Sequence, residues 1–115
     1  VTTAYNPAVA AAEGVKSAGL PIKVVAIDDD PSIIAGIEDG AVAATVTQNP
    51  VGQAEVGTYA LAKLLEGCTM SEPGAIVDSG SFVVTDQNVG TYDSEREAKT
   101  EKLMEAFNDQ YLSCS

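Results

Sequence analysis

The amino-acid sequence predicts an α/β fold, a three-layer sandwich built around a mainly parallel sheet. Helical and strand-forming stretches alternate along the 115 residues, which is the pattern of parallel sheets whose connections are helices. The strand candidates are short, nearly continuous runs of apolar and β-branched residues, as expected of strands buried on both faces. A hydrophobic content of 45 % is typical of an ordinary globular domain with its own core.

The first helix and the first strand follow one another over the opening 27 residues. Asn6 is the predicted N-cap, because a proline follows it, and the helix is expected over residues 7–18 with Gly19 at its end. The run IKVVAI, residues 22–27, predicts a buried strand that ends at Asp28.

The same order is repeated in the next twenty residues. Asp30 precedes a proline and is the predicted N-cap of a short helix, SIIAGIED, which Gly40 closes. The run VAATVT, residues 42–47, predicts the next strand, and Gln48 follows it.

The second half of the chain is predicted to be mostly helical. After the break at Asn49 and Pro50, a helix is expected over residues 51–66. A broken strand or two short strands surround Gly80, within residues 76–85. A last helix is predicted over residues 95–112, where Ser94 and Glu97 form a capping box and Leu103, Phe107 and Tyr111 form an apolar stripe.

Charge and composition exclude several classes of function. Six basic against seventeen acidic residues give a net charge of −11, which repels nucleic acids and anionic lipid surfaces. Histidine is absent, so the commonest general base and zinc ligand are missing and an enzyme is not expected. No apolar run approaches the ~20 residues that cross a bilayer. The opening VTTAYNPAV has neither a starting methionine nor a basic segment, and a processed or truncated product is expected.

Polar residues follow the predicted strands where a parallel sheet binds ligands. Asp28 and Gln48 each end a strand, and Asn6 opens the helix after VTTAY. Such sheets bind ligands beyond the carboxyl ends of their strands. One carboxylate and two amides suit a neutral polyol, because the carboxylate accepts from two hydroxyls while each amide donates and accepts. The sequence therefore predicts Asn6, Asp28 and Gln48 as ligand-binding residues, with no cofactor.

The three consecutive acids allow two other readings, which we find weaker. A phosphoacceptor receiver domain would use Asp78 in a later strand, but it also needs a strand-end lysine further on, and the last lysine, Lys102, falls in a helix. A cation site is disfavoured because contiguous acids on an extended chain point in alternate directions. We expect Asp28 to hold the ligand, Asp30 to cap the helix and Asp29 to face solvent, with no metal site.

The order of motifs resembles a known family. The segments VKSAGLPIKVVAIDDDP, IEDGAVAATVTQNPVGQAEVGTYALAKLLEG and VDSGSFVVTDQNV look like the C-terminal portion of ribose- and galactose-type periplasmic sugar-binding proteins, the receptors of carbohydrate ABC importers. The resemblance covers about residues 2–92 and implies part of a type I periplasmic-binding-protein-like fold. It also implies that the asparagine, aspartate and glutamine named above hold a sugar.

The resemblance carries expectations about domains and partners. Residues 1–92 would be the second lobe plus a helix that crosses the hinge near residues 48–51, and residues 93–115 an additional helix and tail. Because the first lobe is missing, the helix at 51–66 would expose Val56, Tyr59 and Leu64, and the chain would self-associate through it. The full-length protein would meet a membrane permease outside the cytoplasm, in the periplasm or extracellular space, with a lipid anchor as an option.

Two cysteines, Cys68 and Cys114, are either free thiols or one disulfide. In an exported protein of the kind that the resemblance implies, the last helix would bring Cys114 back to Cys68. A functional alternative is the effector domain of a LacI-type transcription regulator, which shares the fold. The receptor is preferred for TVTQNP, VDSGSFVVTDQNV and the acidic tail.

Overall fold

The computed structural model describes residues 1–114 as two compact units. Unit 1 comprises Val1–Gln48 and Ser81–Asp93, and unit 2 comprises Asn49–Gly80 and the described residues from Ser94 onward. The chain passes from unit 1 to unit 2 between Gln48 and Asn49, and the hinge near residues 48–51 stays a prediction. The units are interleaved along the chain, which differs from the predicted division into residues 1–92 and 93–115.

Helices and strands alternate through most of the chain. The helices are α1 (Tyr5–Ala18), α2 (Pro31–Glu38), α3 (Pro50–Leu65) and α4 (Tyr92–Tyr111). The strands are β1 (Val24–Ile27), β2 (Val42–Thr47), β3 (Thr69–Met70), β4 (Phe82–Val84) and β5 (Leu112–Ser113). Among residues 1–114, no helix combines the length and the apolar character needed to cross a membrane.

The sheet of unit 1 is mixed rather than mainly parallel. Its order is β1-β2-β4, and β1 runs parallel to β2 with Ala26 paired to Thr45. However, β4 runs antiparallel to β2, with Phe82 paired to Thr47. The reason is the path of the chain: it leaves unit 1 at the carboxyl end of β2 and returns beside that same end after residues 49–80. A strand that re-enters there must run backwards.

The core of unit 1 lies on one face of this sheet. Side chains of α1 and α2 meet alternate strand residues there, and the two helices also contact each other. The fully or nearly fully buried members are Ala8, Ala12, Val24, Ala26, Ile33, Ile37, Val42 and Val84. On the opposite face Val25, Ile27 and Val46 are half-buried and Val83 is exposed. Both helices of unit 1 therefore pack on the same face of the sheet. Unit 1 thus has two layers, whereas the sequence predicts three.

Unit 2 is held together by contacts between α3 and α4. Val56, Phe107 and Leu112 form its buried core, and the Phe107 and Tyr111 rings stack with their centroids 5.6 Å apart. The predicted stripe on the last helix is thus a core face. The predicted capping box is wrong, because α4 already begins at Tyr92 and Ser94 lies inside its first turn.

The face of α3 that the sequence analysis expected to be exposed is largely covered. Val56 is buried, and Tyr59 packs against the same core and donates its hydroxyl proton to Asn108 Oδ1 at 2.9 Å. Leu64 stays partly exposed, whereas Leu61 and Leu65 on the opposite side of the helix are 66 % and 90 % exposed. The expectation for Val56 and Tyr59 was therefore wrong, because α4 occupies that surface.

A disulfide joins Cys68 to Cys114, with Cα atoms 4.3 Å apart. It links the residue before β3 to the residue after β5. These two short strands pair antiparallel, with Met70 opposite Leu112. The disulfide and the strand pair together attach the C-terminal residues to the end of α3.

Candidate functional site

Two of the three predicted ligand residues lie together at one edge of the unit 1 sheet. Because β1 and β2 are parallel neighbours, with Ile27 paired to Val46, their carboxyl ends meet at the same edge. There the Gln48 Nε2 atom donates to Asp28 Oδ1 at 3.1 Å. Asp28 is half-buried and Gln48 is exposed, so both polar groups are accessible from solvent.

The backbone of Asp28 is held in an unusual conformation. Its φ is 88°, in the left-handed region that favours glycine, and such strain costs on the order of 1 kcal/mol or more. Hydrogen bonds fix the residue on both sides: its N–H donates to the Val46 carbonyl at 3.0 Å, and its carbonyl accepts from Thr45 Oγ1 at 2.6 Å. Strained residues that their surroundings hold in place cluster at functional sites.

Asn6 is not the N-cap of α1, so that prediction was wrong. The helix begins at Tyr5, Ala4 is the N-cap, and no side chain caps it. Proline is tolerated throughout the first turn, where N–H groups have no helical partner, so Pro7 marks the turn but not its first residue. Asn6 is exposed in that turn, and among residues 1–114 no hydrogen bond joins it to Asp28 or Gln48.

Asp30 caps α2, as the sequence predicts. Its carboxylate accepts from the Ser32 hydroxyl and from the Ser32 backbone N–H, the latter at 2.8 Å, and these two hydrogen bonds lower the pKa of Asp30. The Asp30 carboxylate near the Tyr5 hydroxyl raises the pKa of Tyr5. Asp29 is half-buried rather than fully exposed to solvent.

Two polar side chains that order the structure were not predicted from the sequence. Thr45, which bonds Asp28, is fully buried; its only signal is that Thr45 and Thr47 alternate in an otherwise apolar strand. In unit 2, Asn49 is 1 % exposed and caps α3 by accepting from the Gly52 N–H at 3.0 Å. It also donates to the Ser79 carbonyl and to Thr100 Oγ1, each at 2.9 Å.

Two clefts lie away from Asp28. In unit 1, a cleft of ≈ 330 Å³ lies near the amino end of β1, between Gly19, Lys23 and Asp39. In unit 2, a cleft of ≈ 420 Å³ lies between α3, α4 and residues 70–79. Within residues 1–114 no three acidic or cysteine side chains are grouped in a way that could hold a metal ion. We call the sheet edge that carries Asp28 and Gln48 the rim.

Comparison with known proteins identifies a family for the part of the chain that contains this rim. A family model described as a periplasmic binding protein domain matches residues 1–69, which is more than half of the chain and includes both Asp28 and Gln48. No curated protein matches the chain significantly. The chain therefore belongs to the periplasmic binding protein domain family, whose members bind solutes outside the cytoplasm.

Proposed function

We propose that the protein is the solute-binding component of a carbohydrate ABC importer and that it binds a neutral monosaccharide or polyol. The observation that supports this most strongly is the contact between Asp28 and Gln48 at the shared carboxyl edge of β1 and β2. A membrane permease and a periplasmic or extracellular location belong to the same proposal.

The chemistry of the pair suits hydroxyl groups. A carboxylate offers about four acceptor positions and an amide offers two donors and an acceptor. The one bond between them uses a single N–H of Gln48 and one position on Asp28 Oδ1. The remaining groups can accept from two neighbouring hydroxyls and donate to a third oxygen. An anionic ligand is disfavoured by the Asp28 charge and by the net charge of −11.

Asn6 remains part of the proposed site because the start of α1 lies near the same edge. The Thr2 N–H donates to the Val25 carbonyl at 3.0 Å, so the N-terminal residues run beside β1. Tyr5 then lies close enough to Asp30 for that carboxylate to raise the pKa of Tyr5. Asn6 follows Tyr5 directly, and its exposed amide can turn toward a ligand held by Asp28.

Titration of the ¹⁵N-labelled chain with neutral pentoses, hexoses and polyols, monitored by NMR, tests this function. NMR detects binding even at millimolar affinity. We expect a sugar to shift the amide resonances of residues 28 and 48. Asp28→Asn keeps the shape but loses the charge-assisted hydrogen bonds, so affinity should fall about tenfold.

A matched control is Asp39→Asn. This residue is also a carboxylate of unit 1, but it pairs with Lys16 and lines the cleft near the amino end of β1. This variant should bind the sugar as the wild type does. If no sugar shifts these resonances, or if Asp28→Asn binds with unchanged affinity, the proposed function is wrong.

A further inference from the structure

We infer that Thr45 is a positioning residue for the ligand-binding carboxylate of Asp28, an inference that rests on the proposed function. The Thr45 hydroxyl sets the backbone conformation of Asp28 and so aims its side chain at Gln48 and the rim. Thr45 itself is fully buried and cannot touch a ligand.

The Thr45 side chain is completely buried. It lies on the core-facing side of β2, paired with Ala26 and Val84. Valine has the same shape and favours strands, whereas a buried hydroxyl is costly unless it is hydrogen-bonded. The hydroxyl finds its partner in the Asp28 carbonyl, at 2.6 Å. Its presence is therefore tied to the position of that carbonyl.

The backbone of Asp28 is strained. Among residues 1–114 it is the only residue other than glycine with a positive φ. A residue in this region relaxes toward extended backbone unless it is held there. The Val46 carbonyl holds the N–H of Asp28 and Thr45 holds its carbonyl. The strain and one hydrogen bond are similar in free energy, so losing the hydroxyl should release residue 28.

The chain offers a matched control in Thr47, two residues further along the same face of β2. It is also fully buried, but its hydroxyl lies 3.5 Å from the Phe82 carbonyl, and it makes no hydrogen bond to Asp28. Replacing Thr47 by valine makes the same chemical change in an equally buried place. A purely structural effect of losing a core hydroxyl should therefore appear in both variants.

The experiment compares Thr45→Val, Thr45→Ser and Thr47→Val by two measurements. The first, without ligand, is the three-bond HN–Hα coupling and the Cα chemical shift of residue 28, which report its backbone conformation. The second is affinity for D-ribose and D-galactose by NMR titration. In Thr45→Val we expect a changed conformation at residue 28 and affinity about fivefold lower, whereas Thr45→Ser and Thr47→Val should stay near the wild type.

The two measurements separate the inference from the proposed function. An unchanged coupling at residue 28 in Thr45→Val, or an equal change in Thr47→Val, overturns the positioning role. If the wild type binds neither sugar, the function for these sugars fails, while the coupling still decides whether Thr45 holds Asp28. Thr45→Ala, which lacks the hydroxyl and is smaller, gives the same readout if valine prevents folding.

Discussion

Replacing Cys68 and Cys114 together by serine should lower the stability of unit 2 by about 4 kcal/mol. The two cysteines are 46 residues apart. Closing a loop of that length removes conformational entropy from the unfolded chain and so raises its free energy by about that amount. The loss should be concentrated in unit 2, because both cysteines lie in its two chain segments.

Local structure near the disulfide should respond as well. The strands β3 and β5 have two residues each and begin or end beside a cysteine. Strands this short are not stable alone. Without the covalent link, the pairing of Thr69 with Ser113 should open together with the last turn of α4.

Hydrogen exchange, residue by residue, is the assay that resolves the two units. We expect amide protection to fall in α3 and α4 of the double-serine variant and of the reduced wild type, and to change little in β1 and β2. Agreement between the variant and the reduced protein controls for the substitutions themselves. Unchanged protection in α3 and α4, or an equal loss in both units, would refute the reasoning.

Three further predictions test other parts of the structure. Gly52→Ala should destabilise the chain in chemical denaturation, because the added Cβ would lie 2.3 Å from the amide of the capping residue Asn49. Gly57→Ala on the same helix meets no atom within 4 Å and should stabilise the chain by about 0.5–1 kcal/mol. Equal effects of the two substitutions would contradict this prediction. The pKa of Asp30 is lowered, so its stabilising contribution should be lost as the pH falls through that lowered pKa. The pKa of Tyr5 is raised, so its contribution should be lost as the pH rises through that raised pKa. Thermal unfolding as a function of pH measures both losses, and Tyr5→Phe should remove the loss at alkaline pH. If Tyr5→Phe and the wild type have the same alkaline profile, Tyr5 does not contact Asp30. If the chain self-associates through the exposed side of α3, Leu61→Glu should shift it toward monomer in sedimentation at micromolar concentration, whereas a wild-type monomer would exclude the association.

Proline and its preceding residue located helix starts to within a few residues. Asp30 and Asn49 cap the helices that their prolines open, because proline fixes φ and suits the first helical position. The same signal at Asn6 predicts a helix start at Pro7, whereas α1 begins at Tyr5. Local sequence signals predict the helix start only to within one turn. The start at Tyr5 is set by the Ala4 carbonyl, which accepts from the Ala8 N–H at 3.1 Å.

Strand positions were predictable, whereas strand direction was not. The runs at residues 22–27 and 42–47 correspond to β1 and β2, although β1 begins only at Val24. The antiparallel direction of β4 depends on where the chain returns after 32 residues in unit 2, which no local pattern encodes. By contrast, the meeting of Asp28 and Gln48 follows from two adjacent parallel strands alone, and that rule was available from the sequence.

The covered face of α3 shows a limit of periodicity as a predictor. The helix carries apolar residues on two sides: Val56 and Tyr59 on one, Leu61 and Leu65 on the other. A spacing of three and four residues identifies side chains that share a face, but it does not say which face finds a partner. The face with Val56 is buried because α4 packs against it with Phe107, which is only 2 % exposed. The disulfide attaches the end of α4 beside α3. The sequence contains both halves of this contact, namely the apolar stripe on the last helix and the cysteines that attach its end beside α3. Together they place Val56 in the core and leave Leu61 and Leu65 on the exposed side of the helix.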